Sequence, residues 1–200
     1  KAQSRVSLAV ARGMSTKEGM RAMRRSGEAS SDREAARFLA SAAKVVSSAR
    51  YCWLVTRSQN GGTNARPMGR IRPNADEKDW IIPFVPDGRS RKGLEMRGSG
   101  RAELIFQNDG DDAFALLSGA ARLLEGHSAF RRHWRDAYGT YFPSQADREN
   151  ATFVEVTAQR MDLWIRGVTP EPFGLRPIVL ERNETGRWHV VPDRGATVVS

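Results

Sequence analysis

Two hundred residues, 40% hydrophobic and 28% charged, suit one globular domain with a single sizeable core. No run of about 18 apolar residues occurs, which excludes a helical membrane span, and a lone cysteine, Cys52, excludes an internal disulfide and fits a reducing cytoplasm. The net charge of +9 suggests nucleic acid, but Lys1, Arg5, Arg12, Lys17, Arg21, Arg24 and Arg25 stand against Glu18 alone in residues 1–25, so six of the nine charges belong to one arm.

Residues 1–30, which contain that stretch and also Glu28, read as a basic arm, partly helical or disordered, ahead of a domain at 31–200. Ser31 to Glu34 has the form of a capping box, and the helix it opens carries Ala35, Phe38, Leu39, Ala42, Val45 and Val46 at helical spacing. After Ser48 the pattern turns to β. Tyr51–Arg57 and Thr63–Ile71 flank Gln59-Asn60-Gly61-Gly62, a hairpin turn that tolerates positive φ. Trp80–Val85 is a third strand, and its Pro83 implies an edge or a bulge.

Ser90–Arg97 reads as a short helix ended by Gly98. Arg101–Gln107 and Ala113–Leu124 form a second hairpin, and His127–Tyr138 is helical with Phe130 and Trp134 on one face. Thr152–Thr157, Arg160–Arg166, Arg176–Arg182 and Arg187–Val191 complete the strands. Many short strands, tight turns and few helices predict a mainly β, α+β domain built on an antiparallel barrel with flanking helices.

The motifs exclude several chemistries. His127, His133 and His189 have no Cys or carboxylate partners at metal-ligand spacing, so no metal site is expected. No phosphate-binding glycine loop or nucleophile elbow occurs. Two basic constellations remain: Asn64-Ala65-Arg66-Pro67-Met68-Gly69-Arg70 on a strand, and Arg89-Ser90-Arg91-Lys92 at the start of a helix. Guanidinium forks, an ammonium, a hydroxyl and helix N-terminal amides are what a phosphate dianion needs to replace its water. Each alone also fits a solvated basic face.

An Arg-Pro-Met strand, an apolar strand, Ser-Arg-Lys opening a helix and then strands containing Ser118-Gly119-Ala120-Ala121 together resemble the pyridoxamine 5'-phosphate oxidase-like superfamily, which includes general stress proteins. The resemblance runs from Tyr51 to Trp188 and implies a six-stranded split barrel that binds FMN. Carried over by position, Arg66 and Lys92 hold the FMN phosphate, with Ser90 and Arg91 beside them. Pro67 and Met68 lie along the flavin ring, and Val85 belongs to the same site. Trp164, Arg176 and Trp188 match a C-terminal Trp, Arg and Gly-x-Trp pattern, in which the Trp and Arg reach the flavin of the other subunit. A homodimer is therefore implied. Members of the superfamily also use heme or a deazaflavin, and both stand beside FMN.

The departures bear on the reaction. Val85 and Pro86 stand where the oxidases have hydroxyl-bearing residues, and Ile71 stands where they have a lysine. The substrate-phosphate signature, an Arg-Pro followed by Ser-Gln, is absent from His127–Gln145, and Phe173-Gly174-Leu175 replaces an Arg-x-His before Arg176. FMN binding is implied; oxidation of pyridoxamine phosphate is not. Three functions follow: an FMN-dependent oxidoreductase whose substrate the motifs do not name, a non-catalytic flavin-binding stress protein, and, less well supported, a nucleic-acid binder using the arm.

Overall fold

The computed structural model describes residues 16–69 and 79–192, with the backbone alone for 16–26 and 28. The expected strand end at Arg70 and Ile71, with Arg72 and residues 1–15 of the arm, lies outside the described residues. In chain order the elements are α1 (Thr16–Ser48), β1 (Tyr51–Arg57), β2 (Thr63–Gly69), β3 (Ile81–Phe84), α2 (Arg91–Ser99), β4 (Arg101–Asn108) and β5 (Ala113–Leu124). Then follow α3 (His127–His133), α4 (Gln145–Glu149), β6 (Phe153–Ile165), β7 (Ile178–Arg182) and β8 (Trp188–Val190).

All strand pairs are antiparallel. Six strands form one path, β2-β1-β4-β5-β6-β3, and β7 with β8 branches from the second half of β6, giving eight strands in the sheet. The sheet is a split barrel. Period-2 alternation decides what faces inward: Cys52, Leu54 and Thr56 on β1, and Ala102, Leu104 and Phe106 on β4. Leu54, Leu104, Phe106, Leu117, Met161 and Leu163 are fully buried. Pro83 sits on β3, whose one ladder among the described residues is with β6, as an edge strand allows.

β6 explains one departure from the sequence reading. The two expected strands are a single 13-residue strand with a bulge. Ser118 pairs Arg160 while Gly119 pairs Ala158, so Gln159 is the extra residue. Buried positions run Val154, Val156, Ala158 before the bulge and Met161, Leu163, Ile165 after it. That phase change reads as a break in a sequence. Gly119 faces the bulge, and a Cβ there would lie 1.9 Å from the Thr157 carbonyl oxygen.

Three helix boundaries also differ. α1 runs unbroken from Thr16, so Ser31–Glu34 lies inside the helix and caps nothing. Its buried stripe is as expected: Ala35, Phe38, Ala42, Val45 and Val46 pack into the barrel core, with Leu39 half-buried. α2 passes through Gly98 and ends at Gly100, whose φ of 63° permits the left-handed cap. The expected helix His127–Tyr138 stops at His133, because Trp134 is extended and a 3₁₀ turn follows at Asp136–Thr140.

Candidate functional site

β2 and the start of α2 build the site. On β2, Asn64, Arg66 and Met68 share the partly buried face, while Ala65, Pro67 and Gly69 are exposed. α2 begins where the Asp87–Ser90 turn delivers it. Ser90 is the N-cap, accepting from the Gly93 amide at 3.4 Å and donating its hydroxyl proton to the Asp87 carbonyl. Gly93 is required at this point: a Cβ would lie 2.8 Å from the Gly88 carbonyl oxygen. The close approach seats the α2 N-terminus, with its partial positive charge, against the turn.

Lys92 projects from that N-terminus into a cleft of about 890 Å³, a size typical of cofactor sites. Met68, Val85, Pro86 and Asp87 line the cleft with it. Burial pushes the Lys92 ammonium below the usual lysine range; the Arg66 guanidinium pushes it the same way, and Asp87 opposes both. The group is a partly buried cation, which an anionic ligand would relieve.

Arg66 lies behind, held by a network that the sequence reading missed. Its Nη2 donates to Glu95 Oε2 at 2.9 Å, and its Nη1 donates to Thr56 Oγ1 and, at 3.4 Å, to the Leu54 carbonyl. Glu95 is 4% exposed and also accepts from Thr56 Oγ1 and from Asn64 Nδ2, the latter at 2.6 Å. Burial alone would raise the Glu95 carboxyl, but the hydrogen bonds from Thr56, Arg66 and Asn64 outweigh it and hold the group below the usual range. Arg91, largely exposed, places Nε 3.8 Å from Glu95 Oε1. Arg89 is closed onto Asp87 by bonds of 3.1 and 2.8 Å, and that pairing lowers the Asp87 carboxyl.

The opposite wall of the cleft is aromatic: Tyr138, Tyr141, Phe142 and Phe153, with His133 and Arg135. Phe130 and Trp134 stack at 4.6 Å behind it, and Trp134 meets Tyr138 edge-on at 5.7 Å. This wall was unanticipated too, because Phe130 and Trp134 were assigned to a plain helix face.

The structure thus lines the cleft with Met68, Val85 and Lys92 and sets Arg66, Ser90 and Arg91 beside Lys92. It does not bring Pro67, Trp164 or Arg176 to the same cleft within one chain. Pro67 faces outward beside Trp53. Trp164 lines a separate apolar groove of about 340 Å³ with Ile105, Phe114, Leu116, Phe173 and Gly174. Arg176 is exposed on the segment before β7. Trp188 is half-buried against the core, with the Arg182 guanidinium 5.0 Å from its ring centroid. Among the described residues, no cluster of three or more His, Cys, Asp or Glu forms a metal centre, and no helix is long and apolar enough to cross a membrane.

A family model described as pyridoxamine 5'-phosphate oxidase like matches residues 39–169. The chain belongs to this family. No curated protein matches it. Among solved structures, a protein related to general stress protein 26 from Clostridium acetobutylicum has 19% identity and a TM-score of 0.58, over 72% of this chain and 94% of that one. A pyridoxamine 5'-phosphate oxidase-related, FMN-binding protein from Nostoc punctiforme has 15% identity and a TM-score of 0.55, over 72% and 87%. PhzG from Burkholderia lata, solved with tetrahydrophenazine-1-carboxylic acid, has 16% identity and a TM-score of 0.56, over 78% and 87%. All three are likenesses of fold, and the family's split barrel is the architecture seen in this chain.

Proposed function

We propose that this family member binds FMN and works as a flavin-dependent oxidoreductase. The observation that carries the reading is Lys92: a partly buried ammonium at a helix N-terminus, beside Arg66, in a cleft of cofactor size. The residues fit the group. Lys92, the α2 amides and the remaining donors of Arg66 would hold the phosphate, with Arg91 within reach. Met68, Val85 and Pro86 offer an apolar wall to the ring. FMN, when bound, supplies hydride or electron transfer at that ring. The chain's own part is to bind, orient and exclude water, so it needs no acid–base pair of its own.

The same reading makes the protein a cytoplasmic homodimer, with residues 31–200 as one domain behind the basic arm 1–30. In that dimer the partner subunit's Trp164 and the partner subunit's Arg176 complete each flavin site. The apolar groove beside Trp164 supports it, since one chain leaves that groove open. An obligate interface of this kind buries roughly 2,000 Å² or more.

Denaturing the purified protein and identifying the released small molecule tests the cofactor: FMN is expected, and heme or a deazaflavin would redirect the reading. Consumption of NAD(P)H by the flavin-loaded protein separates an oxidoreductase from a stress protein that only holds flavin.

A further inference from the structure

Glu95 is a buried carboxylate that FMN binding, as read above, does not require. A guanidinium carries five N–H donors. Three from Arg66 point inward, to the Leu54 carbonyl, Thr56 Oγ1 and Glu95 Oε2, which leaves at most two for a ligand. Glu95 and a bound phosphate are therefore rivals for one cation. Arg89 is likewise matched by Asp87. Arg91 also faces Glu95, at 3.8 Å, so among the described residues Lys92 is the cation at the α2 N-terminus that no carboxylate closes onto.

We propose that Glu95 is a positioning residue that presets the orientation of Arg66 and, by sharing its charge, leaves Lys92 to decide how tightly a flavin phosphate is held. This deepens the FMN reading and rests on it. Glu95 keeps Arg66 ordered before any ligand arrives, so a phosphate meets a fixed pair of donors. The same carboxylate repels the dianion, which keeps the affinity below what two unopposed cations would give. A purely structural ion pair would be indifferent to whether the flavin carries a phosphate.

Glu95→Gln isolates the charge. Asn64 can turn its amide to face the new NH₂ group, and the remaining oxygen can keep Thr56 and Arg66. Titrations with FMN and with riboflavin, followed by flavin fluorescence, give the ratio of the two affinities. In Glu95→Gln, FMN should bind about three- to tenfold more tightly than in the parent protein, with riboflavin unchanged. An FMN-to-riboflavin ratio within twofold of the parent, or weaker FMN binding, overturns the inference alone. A parent protein that binds neither flavin overturns the FMN reading and this inference with it.

Should Glu95→Gln fail to fold, the neutral pair Arg66→Gln with Glu95→Gln replaces it, compared with Arg66→Gln alone. The single variant leaves Glu95 facing the phosphate without its cation, so the pair should bind FMN severalfold more tightly. Equal affinities for the two would overturn the proposal.

Discussion

The two ends of the proposed flavin site are built from opposite chemistry. At the α2 end, charges are closed onto partners within the chain: buried Glu95 takes Thr56, Asn64 and Arg66, and the more exposed Asp87 takes Arg89. At the Trp164 end, Ile105, Phe114, Leu116 and Trp164 present a bare apolar surface on the outside of the sheet. Polar groups must find partners within the chain that buries them, or they destabilise it. Apolar side chains can wait for another molecule. The charged end is thus closed within one chain, and the apolar end is where the proposed second chain would pack.

Lys92→Ala tests the charged end and should have the largest effect, weakening FMN binding about ten- to a hundredfold while leaving riboflavin binding nearly unchanged. Arg66→Ala should lose less affinity, because Glu95 already shares that cation. It should lose more stability, up to about 3–5 kcal/mol in a urea melt, by leaving Glu95 buried without its partner. Equal binding losses for the two variants would break the distinction between them.

Phe114→Asp tests the apolar end. Sedimentation should shift from dimer toward monomer at micromolar concentration, and flavin affinity should fall with it, although residue 114 lies outside the phosphate cleft. A monomer with unchanged flavin affinity would show that one chain suffices.

pH sharpens the contrast more gently. Lys92 titrates below the ordinary lysine range in the free protein, and a bound dianion would restore its proton. FMN affinity should therefore fall as pH rises through that lowered value, and fall again below about pH 6 as the phosphate takes a proton. The neighbouring carboxyls Asp87 and Glu95, both held below the usual carboxylate range by their hydrogen bonds, stay ionised between these limits. Riboflavin should show neither limb. Removing residues 1–25 should have the smallest effect, leaving FMN affinity within twofold. Any salt-sensitive binding to RNA should drop with the loss of that arm's charge.

The sequence was legible where local chemistry decides. Asn60-Gly61 made its turn, with Gly61 at φ 88°. The α1 stripe found the core, and Ser90 opened α2. It was illegible where a residue's partner is distant in the chain. Glu95 reads as one more charge four positions after Arg91, a common exposed helix pair, and only folding sets it against Thr56 and Asn64. The N-terminal half of α1 misled through Ser31 and Glu34, since a capping box is a local signal that an already running helix can ignore. Trp164 was legible as a residue type, but not as part of an outward groove formed by three strands and a loop.

One strand spans both ends. Phe153 and Glu155, before the bulge in β6, border the cleft proposed to take the phosphate, and Trp164, after it, borders the apolar groove. The bulge at Gln159 is a crease between them, and Gly119 is the one point where β5 lies down into it. The crease angle therefore fixes how far a chain's own phosphate grip stands from the face it turns outward. In the proposed symmetric pair the same angle would be counted twice, once in each copy. A side chain at position 119 would open the crease from the inside, and the two cofactor sites of the pair would be expected to go out of register together.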